Sequence, residues 1–345
     1  MPFSHARSRS KQRPWPIESP PMKLPFAILG LWLAIAASAH SAPGQNTPTK
    51  EDAQRRWTHA PSKVDPMRGV FFAATQAGQR IVAVGDHGLV VLSEDGKTFR
   101  QAQKVPTRSP LTSVHFYDAQ QGWIAGHDGT VLGTRDGGEH WEVLRQERGK
   151  DEVLLSIWFA DAQHGFAVGQ FGLALETHDG GKTWERRTLS TQTHVAEKHL
   201  IHLFSGRKGL LFIAAESGTI FRSEDSGKTW QAIQTANKGS FWTGKALRDG
   251  SLLAAGMRGH VYRSQDQGLS WTATDSGTQQ SLTAINERQD ASVLITGTGG
   301  VLLQRTGADP AFKRHTRADN ASLTGLVSHA SGDVFVSTAG ILRND

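Results

Sequence analysis

The chain has 345 residues, a formal net charge of +6 and no cysteine. Without cysteine it can form no disulfide, thiolate metal site, catalytic thiol or acylated cysteine anchor, so packing alone must hold the fold together. Residues 1–41 carry five basic residues and one acidic residue, and the remaining 304 residues carry only +2. This near-neutral part gives no electrostatic reason to expect a nucleic acid partner.

The first predicted element is a secretory signal peptide. Met22 and Lys23 precede an apolar run from Leu24 to Ala37, and small residues follow as far as Ala42. Fourteen residues span about 21 Å as a helix, less than the roughly 30 Å of a bilayer core. We therefore expect cleavage between Ala39 and Ala42. An uncleaved membrane anchor is the alternative, and the long basic segment 1–21 makes Met22 an alternative start. The predicted division is a leader at 1–41, a linker at 42–50 and one domain at 51–345.

A repeat of about 42 residues fills that domain. The segments TRDGGEHW (134–141), THDGGKTW (177–184), SEDSGKTW (223–230) and SQDQGLSW (264–271) align, and SEDGKTF (93–99) aligns more loosely. The spacings between the closing aromatic residues are 42, 42, 43, 46, 41 and 41. These spacings define seven copies, which end at Trp57, Phe99, Trp141, Trp184, Trp230, Trp271 and Phe312.

Each repeat predicts four short strands. Residues 111–144 contain apolar stretches of four to six residues, separated by turns rich in Gly and Asp and without helical periodicity. Seven such units predict an all-β fold, a seven-bladed β-propeller with four-stranded antiparallel blades. Only residues 192–200 indicate a helical turn.

The two ends of the chain are predicted to complete one blade together. The last repeat stops after its third strand, at 334–345, and its missing outer strand matches Asp52 to Trp57 near the amino terminus. Pairing these two segments leaves no open sheet edge in the ring.

The repeated aspartate motif is interpreted as a structural turn. An aspartate in a tight strand-to-strand turn accepts hydrogen bonds from backbone N–H groups a residue or two ahead, and the following glycine takes a positive φ. The aromatic residue that follows is expected to fill the gap between adjacent blades. The structural pairs are Asp52 and Trp57, Asp95 and Phe99, Asp136 and Trp141, Asp179 and Trp184, Asp225 and Trp230, and Asp266 and Trp271. A distorted turn is expected where Pro310 follows Asp309.

The Gly-Lys-Thr segments inside three of these turns resemble a phosphate loop but do not match one. A phosphate loop needs a glycine five residues before its Gly-Lys pair. Those positions hold Val91, Glu176 and Arg222. No nucleotide, cofactor or metal is expected, and no catalytic residue is assigned.

The motif is similar to the Asp-box, or bacterial neuraminidase repeat. The longer pattern, DAQQGWIAG to TRDGGEHW (118–141) and DAQHGFAVG to THDGGKTW (161–184), resembles the photosystem II stability and assembly factor family. This resemblance implies an exported, non-catalytic propeller in the periplasm or thylakoid lumen. We expect the protein to be a monomer. It also implies a membrane-protein complex or its precursors as the partner.

An Asp-box glycoside hydrolase, sialidase-like or xyloglucanase-like, is the alternative function. Sialidases resemble this chain in their Asp-boxes, but they use a tyrosine nucleophile and an arginine triad. The sequence has two tyrosines, Tyr117 and Tyr262, at positions that suggest packing. The xyloglucan-cleaving enzymes resemble two propellers in tandem, whereas 304 residues make one.

Binding residues are expected on the face opposite the aspartate turns. Turns between second and third strands place His87, His127 and Asp128 there, and we interpret them as solvated turn residues and not as a metal site. Phe171, Met257 and Arg258 are candidates for a protein contact. The loops between blades add a predicted basic rim, mostly uncompensated by acidic residues. It consists of Lys104, Arg108, Arg145, Arg148, Lys150, Arg186 and Arg187.

Overall fold

The structure is a computed structural model that describes residues 65–307 and 311–343. The predicted signal peptide, the linker, the Asp52 to Trp57 strand and the Asp309-Pro310 turn lie outside these residues. The described residues form seven antiparallel sheets, six with four strands and one with three. Each sheet is a simple meander in chain order, and we number the sheets as blades 1 to 7. The predicted seven-bladed propeller is confirmed.

The strands of the first four blades follow the repeat boundaries. Blade 1 holds β1 (Phe71–Ala77), β2 (Arg80–Gly85), β3 (Val90–Ser93) and β4 (Arg100–Gln101), and blade 2 holds β5 (Leu111–Phe116), β6 (Gly122–Gly126), β7 (Val131–Thr134) and β8 (Glu142–Arg145). Blade 3 holds β9 (Leu154–Phe159), β10 (Gly165–Gly169), β11 (Ala174–Thr177) and β12 (Glu185–Arg186), and blade 4 holds β13 (Leu200–Ser205), β14 (Leu211–Ala215), β15 (Thr219–Ser223) and β16 (Gln231–Gln234). The predicted helical turn is the short helix α1 (Thr193–Ala196), between blades 3 and 4.

The remaining blades continue the pattern. Blade 5 holds β17 (Phe241–Ala246), β18 (Leu252–Gly256), β19 (Val261–Ser264) and β20 (Thr272–Thr274), and blade 6 holds β21 (Leu282–Glu287), β22 (Val293–Gly297), β23 (Val301–Arg305) and β24 (Lys313–Thr316). Blade 7 holds β25 (Leu323–His329), β26 (Gly332–Ser337) and β27 (Gly340–Arg343). Within the described residues, no helix is long and apolar enough to span a lipid bilayer.

The hydrophobic core consists of seven clusters, one between each pair of neighbouring blades. The second strand of a blade is flanked on both sides, and β6, for example, is buried throughout. Six clusters contain or contact the aromatic residue that closes a repeat. The seventh cluster lies between blades 6 and 7, and the closing residue of the remaining repeat, Trp57, is outside the described residues. Packing between blades therefore holds the ring together.

Blades 7 and 1 close the ring. Thr324 on β25 donates its hydroxyl to the carbonyl oxygen of Phe71 on β1 at 2.8 Å. The backbone N–H of Ile341 on β27 donates to the carbonyl oxygen of Met67 at 3.1 Å. Blade 7 has three described strands, which agrees with an outer strand supplied from elsewhere in the chain.

The aspartate turns share one hydrogen-bond pattern. Asp179 Oδ1 accepts from the Thr177 hydroxyl and from the Thr183 N–H, both at 2.9 Å, and Oδ2 accepts from the Thr183 hydroxyl at 2.7 Å. Trp184 Nε1 then donates to the carbonyl oxygen of Gly181 at 2.9 Å. Asp136, Asp225 and Asp266 repeat the pattern, while Asp95, in a shorter turn, accepts from the N–H groups of Lys97 and Thr98.

The expected donor position, one or two residues after the aspartate, is therefore wrong for the longer turns. The N–H group that Asp179 binds lies four residues ahead, because two left-handed residues, Gly180 and Gly181, widen the turn before the chain reverses. The turn is thus wider than a two-residue hairpin.

Each of four consecutive blades also donates a hydrogen bond to an aspartate turn of the next blade. The donors are side chains, and the acceptors are backbone carbonyl oxygens. The pairs are Arg80 to Gly137 at 2.9 Å, Trp123 to Gly180 at 3.0 Å, Arg187 to Lys228 at 3.2 Å and Arg222 to Gln267 at 2.7 Å. The turns therefore connect blades as well as strands.

Candidate functional site

The meander gives the ring two different faces. In an antiparallel blade, the turns after the first and third strands emerge on one side, and the turn after the second strand and the loop to the next blade emerge on the other. We call the first side the aspartate-turn face and the second the loop face. The contacts agree with this division, because the N–H of Gly172 in the turn between β10 and β11 donates to Lys198, in the loop to blade 4, at 2.9 Å.

The loop-face turns between second and third strands have a common backbone. Their second residue adopts a left-handed conformation in six blades, although it is glycine in only one of them. The residues are His87, Asp128, Phe171, Ser217, Arg258 and Gly299. At the next position, a Cβ on Gly172 would collide with the carbonyl oxygen of Ala196. Glycine there lets the inter-blade loop pack directly on the turn.

Phe171 is the most exposed large apolar side chain among the described residues, at 70%. Its φ is 52°, a value that is rare for a bulky residue and costs conformational energy. Its N–H donates to His199 Nδ1 at 3.0 Å, and its ring meets the His199 ring edge to face at 4.7 Å. An exposed aromatic ring is thus held in a fixed direction on the loop face.

Met257 and Arg258 occupy the corresponding turn of blade 5. Arg258 is exposed and has a φ of 56°. Met257, expected to be exposed, is only half-exposed and packs its Cβ near Gly239. Arg258 is therefore the more accessible of the two candidates for a protein contact.

The histidine and aspartate residues of blades 1 and 2 form local pairs. His87 Nδ1 lies 2.9 Å from Asp86, and Asp128 accepts a hydrogen bond from the Ser109 hydroxyl at 2.7 Å. Burial lowers the pKa of His127, and the nearby carboxylates of Asp128 and Asp86 partly oppose this effect. In the part of the chain that the structure describes, these residues do not form a three-ligand cluster.

The basic loop residues of blades 2 and 3 form a network with acidic partners. Arg145 lies 2.6 Å from Glu152 and donates to the Gly129 carbonyl oxygen at 2.7 Å. Arg186 reaches the same Glu152 at 3.0 Å, and Lys150 pairs with Glu147 at 2.6 Å. The expectation of a mostly uncompensated basic rim is therefore wrong. The loops supply glutamates that the sequence alone did not place beside these cations.

The four other members of the predicted rim are held differently. Arg187 pairs with Glu176 and donates to Lys228 of an aspartate turn, so its guanidinium belongs to the aspartate-turn face and not to the loop face. Lys104 runs beside His140, in the aspartate turn of blade 2. Arg108 is half-buried, and its Nε has no hydrogen-bond partner. Arg148, in the 144–153 loop, is also not without an interaction partner.

The sequence reasoning missed a cluster on the aspartate-turn face of blade 3. His164 Nε2 lies 2.8 Å from Glu176 Oε1, and His178 Nε2 lies 3.3 Å from the same oxygen. Glu176 was noted only as the residue that breaks a phosphate-loop pattern. The signal was available in the Glu-x-His spacing, because residues two apart on a strand share a face.

The two tyrosines do not share a site. Tyr262 is buried and meets Phe241 edge to face at 5.4 Å, whereas Tyr117 is half-exposed and follows β5 on the aspartate-turn face. Tyr262 therefore has the contacts of a core residue, as its sequence position suggested.

Fold and site together define a seven-bladed aspartate-turn propeller with an exposed aromatic residue and paired charged loops on one face. The sequence profile of the Photosynthesis system II assembly factor YCF48 family matches residues 92–316, more than half of the chain. The chain belongs to this family, and the resemblance drawn from the repeat is confirmed.

A curated relative and several solved structures are similar to parts or most of the chain. Photosystem II assembly protein Ycf48 from Thermosynechococcus vestitus (strain NIES-2133 / IAM M-273 / BP-1) is 37% identical over 133 residues. That match covers 39% of this chain and 38% of the relative.

The solved structures share the fold at low identity. YCF48 bound to D1 peptide has a TM-score of 0.65 at 15% identity, covering 84% of this chain and 100% of that one. YCF48 from Cyanidioschyzon merolae has a TM-score of 0.65 at 14% identity, covering 83% and 97%. A streptogramin B lyase structure has a TM-score of 0.69 at 13% identity, covering 83% and 97%. Because a lyase has the same fold, the fold alone does not assign a function.

Proposed function

We propose that the protein is an exported, non-catalytic scaffold that binds a membrane-protein complex, or its precursors, during assembly. The observation that carries the proposal is the match of residues 92–316 to a family of assembly factors. A relative of the same fold was solved with a D1 peptide, which supports a peptide segment as the bound part of the partner. In a photosynthetic host the partner is a photosystem II precursor, and in another host it is a different envelope complex.

Phe171 anchors the partner on the loop face. Burial in the core does not explain this ring, which is 70% exposed. The turn requires a left-handed φ at this position, and a phenylalanine adopts it at a higher conformational cost than a glycine would. Aromatic side chains held rigidly at a surface concentrate binding energy in protein interfaces. Arg258, at the same position of the turn in blade 5, supplies a second contact.

The network of blades 2 and 3 steers the approach of the partner. Arg145, Lys150 and Arg186 share the carboxylates of Glu147 and Glu152, so the cations exceed their acidic partners by one. Paired surface charges of this kind add little affinity but bias orientation and association rate. An acidic segment beside the apolar contact of the partner fits this arrangement.

Pull-down from native membranes tests the scaffold function. The tagged protein should capture a membrane-protein complex, and Phe171→Ala should lose most of the captured material. Tyr117→Ala is the matched control, because Tyr117 is also an exposed aromatic residue but follows β5 on the aspartate-turn face. Equal capture by both variants would count against Phe171 as the anchor, and no specific capture by the unmodified protein would count against the scaffold.

The glycosidase alternative has a separate test. Family membership gives it no support, and turnover of sialyl or xyloglucan substrates by the purified protein would overturn the non-catalytic proposal. Export is tested by the intact mass of the protein from the envelope fraction, which should correspond to cleavage between Ala39 and Ala42. Light scattering of the purified protein should give a monomer.

A further inference from the structure

A histidine and carboxylate cluster on the aspartate-turn face has no part in the proposed partner binding. We propose that His164, Glu176 and His178 bind a divalent first-row transition metal ion, with Zn²⁺ as the reference ion. Their ligand atoms all lie within 4.8 Å of one another. Two imidazole nitrogens and one carboxylate oxygen form a ligand set found in zinc sites, and three protein ligands leave a position open for water or another ligand.

The separations are close to those that a bound ion requires. Ligand atoms around tetrahedral Zn²⁺ lie about 3.3 Å apart when each bond is about 2.0 Å. Glu176 Oε1 is 2.8 Å from His164 Nε2 and 3.3 Å from His178 Nε2. The two imidazole rings are parallel within 9°, with centroids 4.7 Å apart, so one ring must turn to aim both lone pairs at one ion. His178 can do so, because its side chain is 64% exposed.

The backbone fixes the other two ligands. Glu176 lies on β11, where it pairs with Phe166 of β10, and its side chain is 3% exposed. His164 lies in the turn before β10 and packs edge to face on the Phe166 ring at 5.1 Å. A buried carboxylate, a supported imidazole and one exposed imidazole that is free to turn make a largely pre-organised site.

The repeats provide an internal comparison that separates this cluster from the needs of the fold. If the fold required these side chains, the equivalent positions of other blades would carry similar ones. The position of Glu176 is taken by Gly133 in blade 2, Arg222 in blade 4 and Arg263 in blade 5. The position of His178 is taken by Arg135, Glu224 and Gln265. Among these blades, only blade 3 brings two imidazoles to one buried carboxylate.

Arg187 sets the strength of the site. Its guanidinium binds Glu176 Oε2, leaving Oε1 toward the two histidines. A hydrogen bond to the second oxygen of a ligating carboxylate orients it, as outer partners of metal ligands do. The positive charge of Arg187 also repels a cation at Oε1. The site should therefore bind Zn²⁺ more weakly than the same ligands would without Arg187.

Calorimetric titration of the tag-free, full-length protein with Zn²⁺ tests the site. The unmodified protein should bind one equivalent, and His164→Ala and His178→Ala should each weaken that binding by more than about tenfold. His194→Ala is the matched control, because His194 is exposed on α1 and away from the cluster, and it should bind as the unmodified protein does. Arg187→Gln should strengthen binding several-fold, because it removes the opposing charge.

A thermal readout keeps the test independent of variant folding. Zn²⁺ should raise the Tm of the unmodified protein and of His194→Ala but not that of His178→Ala, whose exposed side chain can be removed without unfolding. Absence of a Zn²⁺ effect on the unmodified protein would overturn the proposal, as would undiminished binding by His178→Ala. Because the cluster is on the aspartate-turn face, either result leaves partner binding on the loop face untouched.

Discussion

The carboxylate of Asp179 binds Thr183 twice, through the backbone N–H at 2.9 Å and through the hydroxyl at 2.7 Å. This pair closes the turn between β11 and β12 and places Trp184 edge to face with Phe159 at 6.0 Å. Trp184 also packs against the cluster between blades 2 and 3, so this turn connects local conformation with packing between blades. Since each aspartate turn precedes an aromatic residue in the same way, the ring is held by repetition of a local rule.

Replacement of Asp179 should lower stability. Asp179→Ala removes the acceptor for Thr177 and for both groups of Thr183, so Tm should fall clearly, and Asp179→Asn should lower it less. Asp151→Ala, at an exposed loop position, should leave Tm nearly unchanged. Differential scanning calorimetry of the four proteins provides the measurement, and equal Tm values for Asp179→Ala and Asp151→Ala would contradict the structural role.

Stability should fall in acid between pH 4 and pH 2. Hydrogen bonds, led by those from the Thr183 and Thr229 hydroxyls, lower the pKa of Asp179 and Asp225 to about 2, below the usual 3.8. Burial raises the pKa of Asp266, but hydrogen bonds from Ser270 and Ser264 together outweigh burial and lower this pKa to about 2. Because the folded state holds these protons less tightly than the unfolded state, the stabilisation is complete above about pH 4 and is lost as the pH falls toward 2. Tm measured against pH should show this decline, with a shallower slope in Asp179→Asn.

Replacing a buried tryptophan by alanine should lower the free energy of unfolding more than replacing a half-buried tryptophan. Trp141 is 2% exposed and lies in the cluster between blades 1 and 2, so Trp141→Ala should cost about 3 to 5 kcal/mol. Trp271, half-buried between blades 4 and 5, should cost less when replaced by alanine. Urea unfolding measures both, and the reverse order would show that exposure does not rank these sites.

Arg186 and Arg187 should differ in their effects on stability. Arg187 neutralises the buried Glu176 and reaches Lys228 of blade 4, so Arg187→Gln should lower Tm. Arg186 is 63% exposed and shares Glu152 with Arg145, so Arg186→Gln should leave Tm nearly unchanged. Thermal unfolding at neutral pH separates them, and similar Tm values for the two variants would contradict the assignment of Arg187 to the aspartate-turn face.

Phe171→Gly should separate stability from binding. Glycine adopts a φ of 52° without strain, so the variant should keep or raise Tm, while capture of the membrane partner should fall because the exposed ring is gone. The experiment pairs calorimetry with pull-down. A large fall in Tm would show that the contact of Phe171 with His199 is structural and would undermine its role as the anchor.

The sequence predicted the architecture well because the fold is local and repeated. The spacing of closing aromatic residues gave the blade number, and the Gly and Asp turns gave the strand order. Residues 192–200 correctly indicated α1. Each turn is encoded within a few residues, and short-range sequence patterns therefore predict it.

The arrangement of charges was not predictable in the same way. Arg186 and Arg187 are adjacent in sequence and have the same side chain, yet one binds a loop glutamate and the other a buried carboxylate. Long flexible side chains reach partners that are distant along the chain. Arg186 and Glu152 are 34 residues apart, and Arg187 and Lys228 are 41 residues apart. No one-dimensional pattern records these partners. His164 and Glu176 are closer, 12 residues apart in blade 3, and the pairing of β10 with β11 brings them together.

The bond from Thr324 to Phe71 joins residues 253 positions apart. Every other blade can dock on a neighbour that the ribosome has just completed, but blade 1 must wait for blade 7. Until then, the nascent chain exposes an apolar surface at each end of an incomplete arc. The ring can therefore close only after blade 7 has been synthesised, so the native state forms late and cooperatively. A chain that stops short of residue 323 lacks blade 7 and is expected to aggregate.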